Sequence, residues 1–304
     1  FDHLQSIGFT EKLGLFLYSR GGMLEVPWRI VGMMREFCKE LNVIVPYKAY
    51  SGATLIALGA DKIIMGRKGE LGPIDPSLTL SFPGKEPPPR MPTEIGTEDI
   101  AAFLTFIKNR AGLSDQTALS QLTTILVNDL GPTTLGQVQR AHSHIRLIAR
   151  KLLSLCQPPL EEPRIAAIVE ALTEKMYVHG HGIGRKEARE IGLQVELPTQ
   201  PQEDAIWQLY RSYEQLFDLG CSPDSTAFFV DSSTDVVRQE NVPIACMEST
   251  KMCHLCQGTW EARQVRKAPE NPTINVNIGI QMPPGVPPEA LPQAFQQAVQ
   301  NALN

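Results

Sequence analysis

Two short apolar runs rich in β-forming residues, LGLFLYS (Leu13 to Ser19) and NVIVP (Asn42 to Pro46), each end in turn residues. Between them lies EVPWRIVGMMREFCKEL, whose apolar positions recur at helical spacing, so the stretch predicts a strand, a helix and a second strand. Parallel strands joined by a right-handed crossover place both carboxyl ends on one edge of the sheet. The next run, GATLIALGA, is small and apolar enough to be a buried helix, and DKIIMG reads as a third strand. GELGPIDPSL is turn-rich. Residues 83–93 (PGKEPPPRMPT) form a proline-rich loop that cannot be regular structure.

Helical patterns then dominate, over residues 97–110, 114–130, 134–156 and 163–177. HGHGIGRKEAREIGL reads as a loop leading into a short helix, QVEL as a terminal strand, and DAIWQLYRSYEQLF as an amphipathic helix leading out of the core. Residues 220–268 are β-rich, and residues 269–288 are punctuated by Pro, Gly and Asn. In the closing PEALPQAFQQAVQNALN, Leu291, Phe295, Val299 and Leu303 stand four apart, a narrow apolar stripe suited to a partner, a neighbouring subunit or its own domain. The expected organisation is an α/β domain over residues 1–197, a linking helix over 198–219, and a β-rich C-terminal region over 220–304 with a short terminal amphipathic helix. Phe1 falls on the approach to an internal strand, which leaves room for a first strand, or an anchor, upstream.

The chemistry concentrates at two turns on the shared sheet edge. Gly21 and Gly22 follow the first strand, and Ser51 follows the second. Glycine lets backbone N–H groups approach a substrate with no Cβ in the way. Taken singly, a Gly-Gly pair is an ordinary turn and a serine before a helix an ordinary N-cap. Together, on one edge, they predict an oxyanion hole and a nucleophile, with Gly52 adjoining and the helix dipole adding positive character near the hydroxyl.

SRGG, PYKAYSGATLIALGADKIIM, GELGPIDPSL and HGHGIGRKEAREIGLQVE, in this order, resemble the serine dehydrogenase proteinase family, of the Clp-protease and signal-peptide-peptidase-A class. The resemblance covers about two thirds of the chain, residues 12–215. It implies a ClpP/crotonase-like α/β fold built as a spiral of ββα units. It implies Gly21 and Gly22 as oxyanion donors, Ser51 as nucleophile, a peptide substrate and a homo-oligomer. The same fold also hosts acyl-CoA hydrolases and lyases and inactive assembly modules, which remain as alternatives; no basic cluster placed for nucleotide phosphates is evident for the former.

A serine nucleophile needs a base. A Clp-type triad would set a histidine some two dozen residues after the serine, where this chain has Asp75 and Pro76; no histidine lies between Ser51 and His142. A Ser-Lys dyad is the remaining solution. An ordinary lysine is protonated at neutral pH, so a catalytic one must be desolvated. Lys108, 57 residues beyond Ser51, follows Ala101, Leu104 and Thr105 on a helical stripe with no other charge, and EDIAAFLTFIK resembles the helix that carries the base in relatives. Lys48 and His142 are the alternates: the first braces the turn before Ser51, the second is the rival base. His179 and His181 lack carboxylate or thiol companions and read as structural or substrate-lining.

Composition narrows the class. The 304 residues suffice for one large core and a smaller appendage, and a net charge of −5 argues against a nucleic-acid binder. No apolar run approaches the roughly 18 residues needed to cross a bilayer, and no signal peptide is evident, so the chain is expected to be cytoplasmic, with membrane association only through segments outside it. No cofactor and no metal are expected. Cys38 and Cys156 fall in helical patterns as buried thiols. Cys246, Cys253, His254 and Cys256 offer zinc donors, but a lone C-x-x-C lacks a second pair, and MCHLCQGTWEARQVRK reads as a hairpin with alternate side chains on opposite faces.

Overall fold

Parallel pairing between short strands of non-adjacent sequence organises the computed structural model, which describes residues 1–74, 77–80, 93–112, 115–176, 180–220 and 236–263. A short helix α1 (Asp2–Ile7) precedes β1 (Thr10–Phe16), so the residues before the first predicted strand are helical. α2 (Val26–Arg35) crosses to β2 (Cys38–Val45), then come β3 (Lys48–Ala49), α3 (Gly52–Leu58), β4 (Lys62–Met65) and β5 (Glu70–Leu71). β6 (Ser77–Leu80) and β7 (Thr93–Gly96) pair antiparallel. The helical part is α4 (Thr97–Thr105), continued by a π-helical turn (Phe106–Arg110), then α5 (Gln116–Leu130), α6 (Pro132–Leu153) and α7 (Glu162–Glu174). β8 (Ile183–Gly184), α8 (Arg185–Ile191), β9 (Val195–Glu196), α9 (Gln200–Leu216), β10 (Val236–Glu248) and β11 (Cys253–Arg263) complete the described chain.

The main sheet has the order β1-β2-β4-β9, all parallel, with Thr10 opposite Cys38, Val43 opposite Ile63 and Ile63 opposite Val195. The predicted strand-helix-strand unit is present, with one shift. The helix expected through Leu41 stops at Arg35, and β2 starts at Cys38, four residues before the strand read from sequence. The reason is the ladder: β2 matches the whole length of β1, and Cys38, Leu41, Val43 and Val45 go into the core, so tertiary pairing overrides helical spacing. Cys38 is buried as expected but on a strand. Cys156 is buried just beyond α6, its thiol donating to the Leu58 and Ala60 carbonyls.

α2, α3, α6 and α7 cover the sheet and supply most of the core. α3 is buried along its entire length, and Ile145, Leu152, Ile168 and Leu172 are fully enclosed. Within this layer Thr54 is a fully buried polar residue. Its hydroxyl lies 2.7 Å from the Ala49 carbonyl and accepts from the Gly72 amide at 3.0 Å, tying the start of α3 to β3 and to the segment after β5. Thr54→Val should therefore lower unfolding free energy by about 1–3 kcal/mol, because the Gly72 amide loses its partner in the dry interior. Urea titration with an unchanged slope would show it, and an unchanged midpoint would refute it.

α9 begins in a capping box between Thr199 and Gln202 and packs on the core through Tyr210, which is buried against Tyr18, Tyr47 and Trp207 at ring-centroid distances of 5.3, 5.6 and 5.0 Å. Residues 1–224 and 239–260 form one compact unit. A second comprises residues 225–238 and 261–304, of which the outer ends of β10 and β11 are described. The proline-rich loop and the terminal apolar stripe lie outside the described residues.

Candidate active site

The ladder between the first two strands continues past their formal ends, and this continuation builds the site. Leu17 N donates to the Ile44 carbonyl, Ser19 N to Lys48 at 2.9 Å, and Tyr50 N back to Ser19 at 3.0 Å. Ser19 thus bridges Ala49 in parallel register, and the residues that follow each partner are carried side by side. Those residues are Gly21-Gly22 and Ser51-Gly52.

Their proximity is van der Waals contact. A Cβ built on Gly21 would stand 2.9 Å from Ser51 Cβ and 3.4 Å from Ser51 Oγ, and one on Gly52 would stand 3.4 Å from Gly22 N. Gly21 also holds φ at +115°, where side chains are rarely tolerated. Gly21→Ala should therefore push the two turns apart and slow reaction at Ser51 on the order of 10²-fold, the scale of a small misplacement of reacting groups. A phosphonate-labelling rate equal to that of the parent chain would count against this.

Ser51 is the strained residue. Its φ of 52° and ψ of −115° leave it on the positive-φ side without being left-handed helical, a conformation costing on the order of 1–3 kcal/mol for a residue with a Cβ. Such a strand-to-helix elbow exposes a hydroxyl at the head of a helix. The hydroxyl makes no capping bond, and Ser51 has no hydrogen-bonding side-chain partner among the described residues. The N-cap reading of Ser51 is thereby set aside.

The glycine amides differ. Gly21 N donates to Ser19 Oγ at 3.1 Å, so Ser19, which carries no sequence signature beyond ending a strand, holds that amide. Gly22 N makes no hydrogen bond among the described residues, and Gly52 N belongs to the first turn of α3, whose leading amides lack helical acceptors. Two amides are thus unspent beside the serine, and the third is spoken for by Ser19.

Around this centre lies a polar bracket, of which Lys48 was read from sequence and the Tyr50–Glu70 pair was not. Tyr50 donates to Glu70 Oε2 at 2.5 Å, and burial, followed by the Glu70 carboxylate, raises the phenol well above its ordinary value. Lys48 sets its ammonium 4.9 Å from the Tyr47 ring and 5.6 Å from that of Tyr50, which suits bracing of the turn. A Cβ on Gly182 would lie 3.2 Å from Tyr50 Oη, so the segment entering β8 closes against the same pair. His181 instead bonds Glu187 at 2.9 Å; His179 lies outside the described residues.

Lys108 departs from its expected setting. It sits in the π-helical turn, where Ile107 faces inward, and Lys108 itself is exposed together with Leu104 and Thr105. The shelter that a neutral lysine needs is not supplied by the described residues of one chain. His142 is half-buried on α6 beside Arg146, and burial, then the guanidinium, depresses its basicity. Asp75 and Pro76 lie outside the described residues.

On the hairpin, alternation sorts the sulfur and imidazole donors as expected of strands. His254 Nδ1 meets His3 Nε2 at 2.9 Å, while Cys253 approaches Cys246. The C-x-x-C pair is thus divided between surroundings.

Residues 8–85 match the model of a family described as ClpP-like SDH-type serine proteinase. Among curated proteins, the uncharacterized protein MJ0137 of Methanocaldococcus jannaschii is 28% identical over 201 residues, 66% of this chain and 59% of that protein. The uncharacterized protein MJ1495 of the same organism is 22% identical over 211 residues, 68% of this chain and 61% of its own length. The chain therefore spans about three fifths of the length of these relatives. A solved structure, a serine-to-alanine mutant of the 1510-N membrane-bound stomatin-specific protease, is similar over 64% of this chain and 67% of that one, at 17% identity and a TM-score of 0.38. The matched stretch contains β1, both glycines, Ser51 and the parallel edge that joins them, so residues 8–85 are similar to the ClpP-like SDH-type serine proteinases, and the mixed α/β architecture with its parallel sheet is ClpP-like.

Proposed function

We propose that this chain is a serine peptidase acting on unfolded or extended peptides, with Ser51 as nucleophile. The observation that carries the reading is the contact between a strained Ser51 and the Gly21-Gly22 turn. Ser51 Oγ attacks the peptide carbonyl; the amides of Gly22 and Gly52, with Gly21 once Ser19 releases it, receive the developing oxyanion. Lys108 accepts the hydroxyl proton and returns it to the leaving amine, making a Ser-Lys dyad. Peptide runs extended along the outer edge of β1, which among the described residues pairs on one side alone within the main sheet.

The exposure of Lys108 gives the homo-oligomer a chemical task in this reading. A second copy covering α4 and its π-helical turn removes water from the ammonium and lowers its proton affinity. The exposed Phe103, Leu104 and Phe106 on the same stretch, 40, 43 and 55% accessible, support such a cover.

A fluorescent peptidyl phosphonate tests both members of the dyad. Mass spectrometry of the labelled chain should find the adduct on Ser51, and Lys108→Ala should slow labelling by at least the 10² to 10⁴ typical of a lost general base. An adduct on another residue removes Ser51 from the mechanism. Undiminished labelling of Lys108→Ala removes the lysine and leaves His142 and Lys48 as the bases to be tried.

A further inference from the structure

The hairpin β10–β11 reverses through a turn in which Ser249 N donates to the Met252 carbonyl at 2.8 Å and Ser249 Oγ accepts from Met252 N at 3.2 Å. Cys246 and Glu248 stand two apart on β10 and so share a face. Cys253, the first residue of β11, meets them across the turn, and one donor atom from each of the three lies within 4.8 Å of the others. His254, one position on, goes to the opposite face and bonds His3. Cys256 shares the parity of His254 and stays out of the group.

The sulfur separation suits a shared cation as well as the thiol–thiol hydrogen bond it now makes. The two Sγ atoms are 3.8 Å apart. Tetrahedral zinc with Zn–S near 2.3 Å requires two thiolates about 3.8 Å apart, whereas a disulfide requires about 2.05 Å. The thiols thus already hold the spacing of two corners of a zinc tetrahedron, and a carboxylate stands at the third. That carboxylate is itself oriented: Tyr213 on α9 donates its hydroxyl to Glu248 Oε2, the outer-sphere contact that fixes metal-binding carboxylates.

We propose that Cys246, Glu248 and Cys253 bind one thiophilic divalent cation, of which zinc is the fitting example, with Tyr213 holding Glu248 in position. Binding displaces the two thiol protons to solvent and leaves a fourth coordination position for water. The cation ties the hairpin tip to α9, and through Tyr210 of that helix to Tyr18 and Tyr47, which flank the Gly-Gly and Ser51 turns. The proposal stands independently of the peptidase reading.

The test uses the full chain, reduced and stripped of metal, with zinc as the probe. Competition against a chromogenic chelator should give one zinc per chain, weakened on the order of 10²-fold or more in Cys246→Ser and Cys253→Ser, about tenfold in Tyr213→Phe, and unchanged in Cys256→Ser. Circular dichroism establishes that each variant is folded. In the parent chain, which needs no variant to fold, zinc should slow iodoacetamide labelling of Cys246 and Cys253 and leave Cys256 unaffected. The proposal is overturned if the reduced chain retains no zinc, if Cys256 is protected equally, or if both serine variants bind as the parent does. A Cys246–Cys253 crosslink in unreduced protein, with no zinc binding after reduction, would make the pair a redox couple and equally end the proposal.

Discussion

Ser51→Ala is expected to reduce hydrolysis of an unstructured peptide by a factor of roughly 10⁴ to 10⁶, the scale of losing a nucleophile that works together with its base. The loss should fall in kcat, because in the proposed mechanism the hydroxyl acts in forming the acyl intermediate and not in holding the ground-state peptide. The variant should remain folded and no less stable, since alanine removes no capping hydrogen bond at Ser51. Strain at φ 52° persists with alanine, so any gain is small. Ser51→Gly would relieve that strain and should be the more stable of the two while equally inactive, a pairing that separates chemistry from folding. Hydrolysis by Ser51→Ala within tenfold of the parent rate would exclude a serine mechanism at this position.

The largest stability effect is expected at Asp61. This residue is 2% exposed and ties its own turn to three other segments: it takes two hydrogen bonds from Arg35 on α2 at 2.8 and 3.0 Å, one from Leu41 N on β2 at 2.8 Å, and one from Gln157 N beyond α6 at 2.6 Å. Asp61→Asn presents an amide NH₂ where the acceptor must face N–H donors on every side, and it leaves the Arg35 guanidinium without its counter-charge. Breaking one partner of a buried pair costs about 3–5 kcal/mol. A single domain is stable by about 5–15 kcal/mol, so a large share of the folding free energy is at stake. The denaturant midpoint should drop accordingly, and a change below about 1 kcal/mol would show that water or another donor arrangement substitutes for the carboxylate. Because Asp61 starts the turn into β4, opposite the Ser51 end of α3, activity at temperatures where the variant is folded should change far less than stability.

Legibility from sequence divided along a physical line. The strand-helix-strand unit, α3 as a buried helix, the third strand at Lys62–Met65 and the β character after residue 236 were readable because each is encoded by neighbours a few positions apart, whereas the stretch from Met252 read as a hairpin by itself is the single strand β11, paired with β10. The boundary between α2 and β2 was not, since residues 36–41 satisfy helical spacing while a partner strand far along the chain claims them. The two glycines and Ser51 could be nominated from their turns. Their contact depends on Ser19 extending the ladder to Lys48 and Tyr50, a long-range pairing without a local mark.

The same division applies to the charged and sulfur-bearing residues. An apolar stripe beside Lys108 tells which way a helix face points, but whether another element covers that face is a property of the assembled fold, and in this chain Ile107 takes the inward position. Arg35 and Asp61, 26 positions apart, give no short-range pattern at all. For the cysteines, strand alternation read from sequence separates Cys253 from His254 correctly. It could not bring Glu248 and Cys246 to Cys253, because that requires the turn at Ser249–Met252 to set which residues stand opposite.

By itself, the amino-acid sequence determined the local vocabulary of this protein: which runs are strands and helices, where glycine frees the backbone, and which serine stands at a strand-to-helix elbow. Those are matters of periodicity and covalent geometry, decided within a few residues. The tertiary structure alone decided which of these pieces meet, which amide beside Ser51 is already spent on Ser19, which lysine is wet, and which thiols face each other. Burial and pairing between distant segments outweigh local preference wherever several kcal/mol of packing or ion pairing oppose a few tenths of propensity.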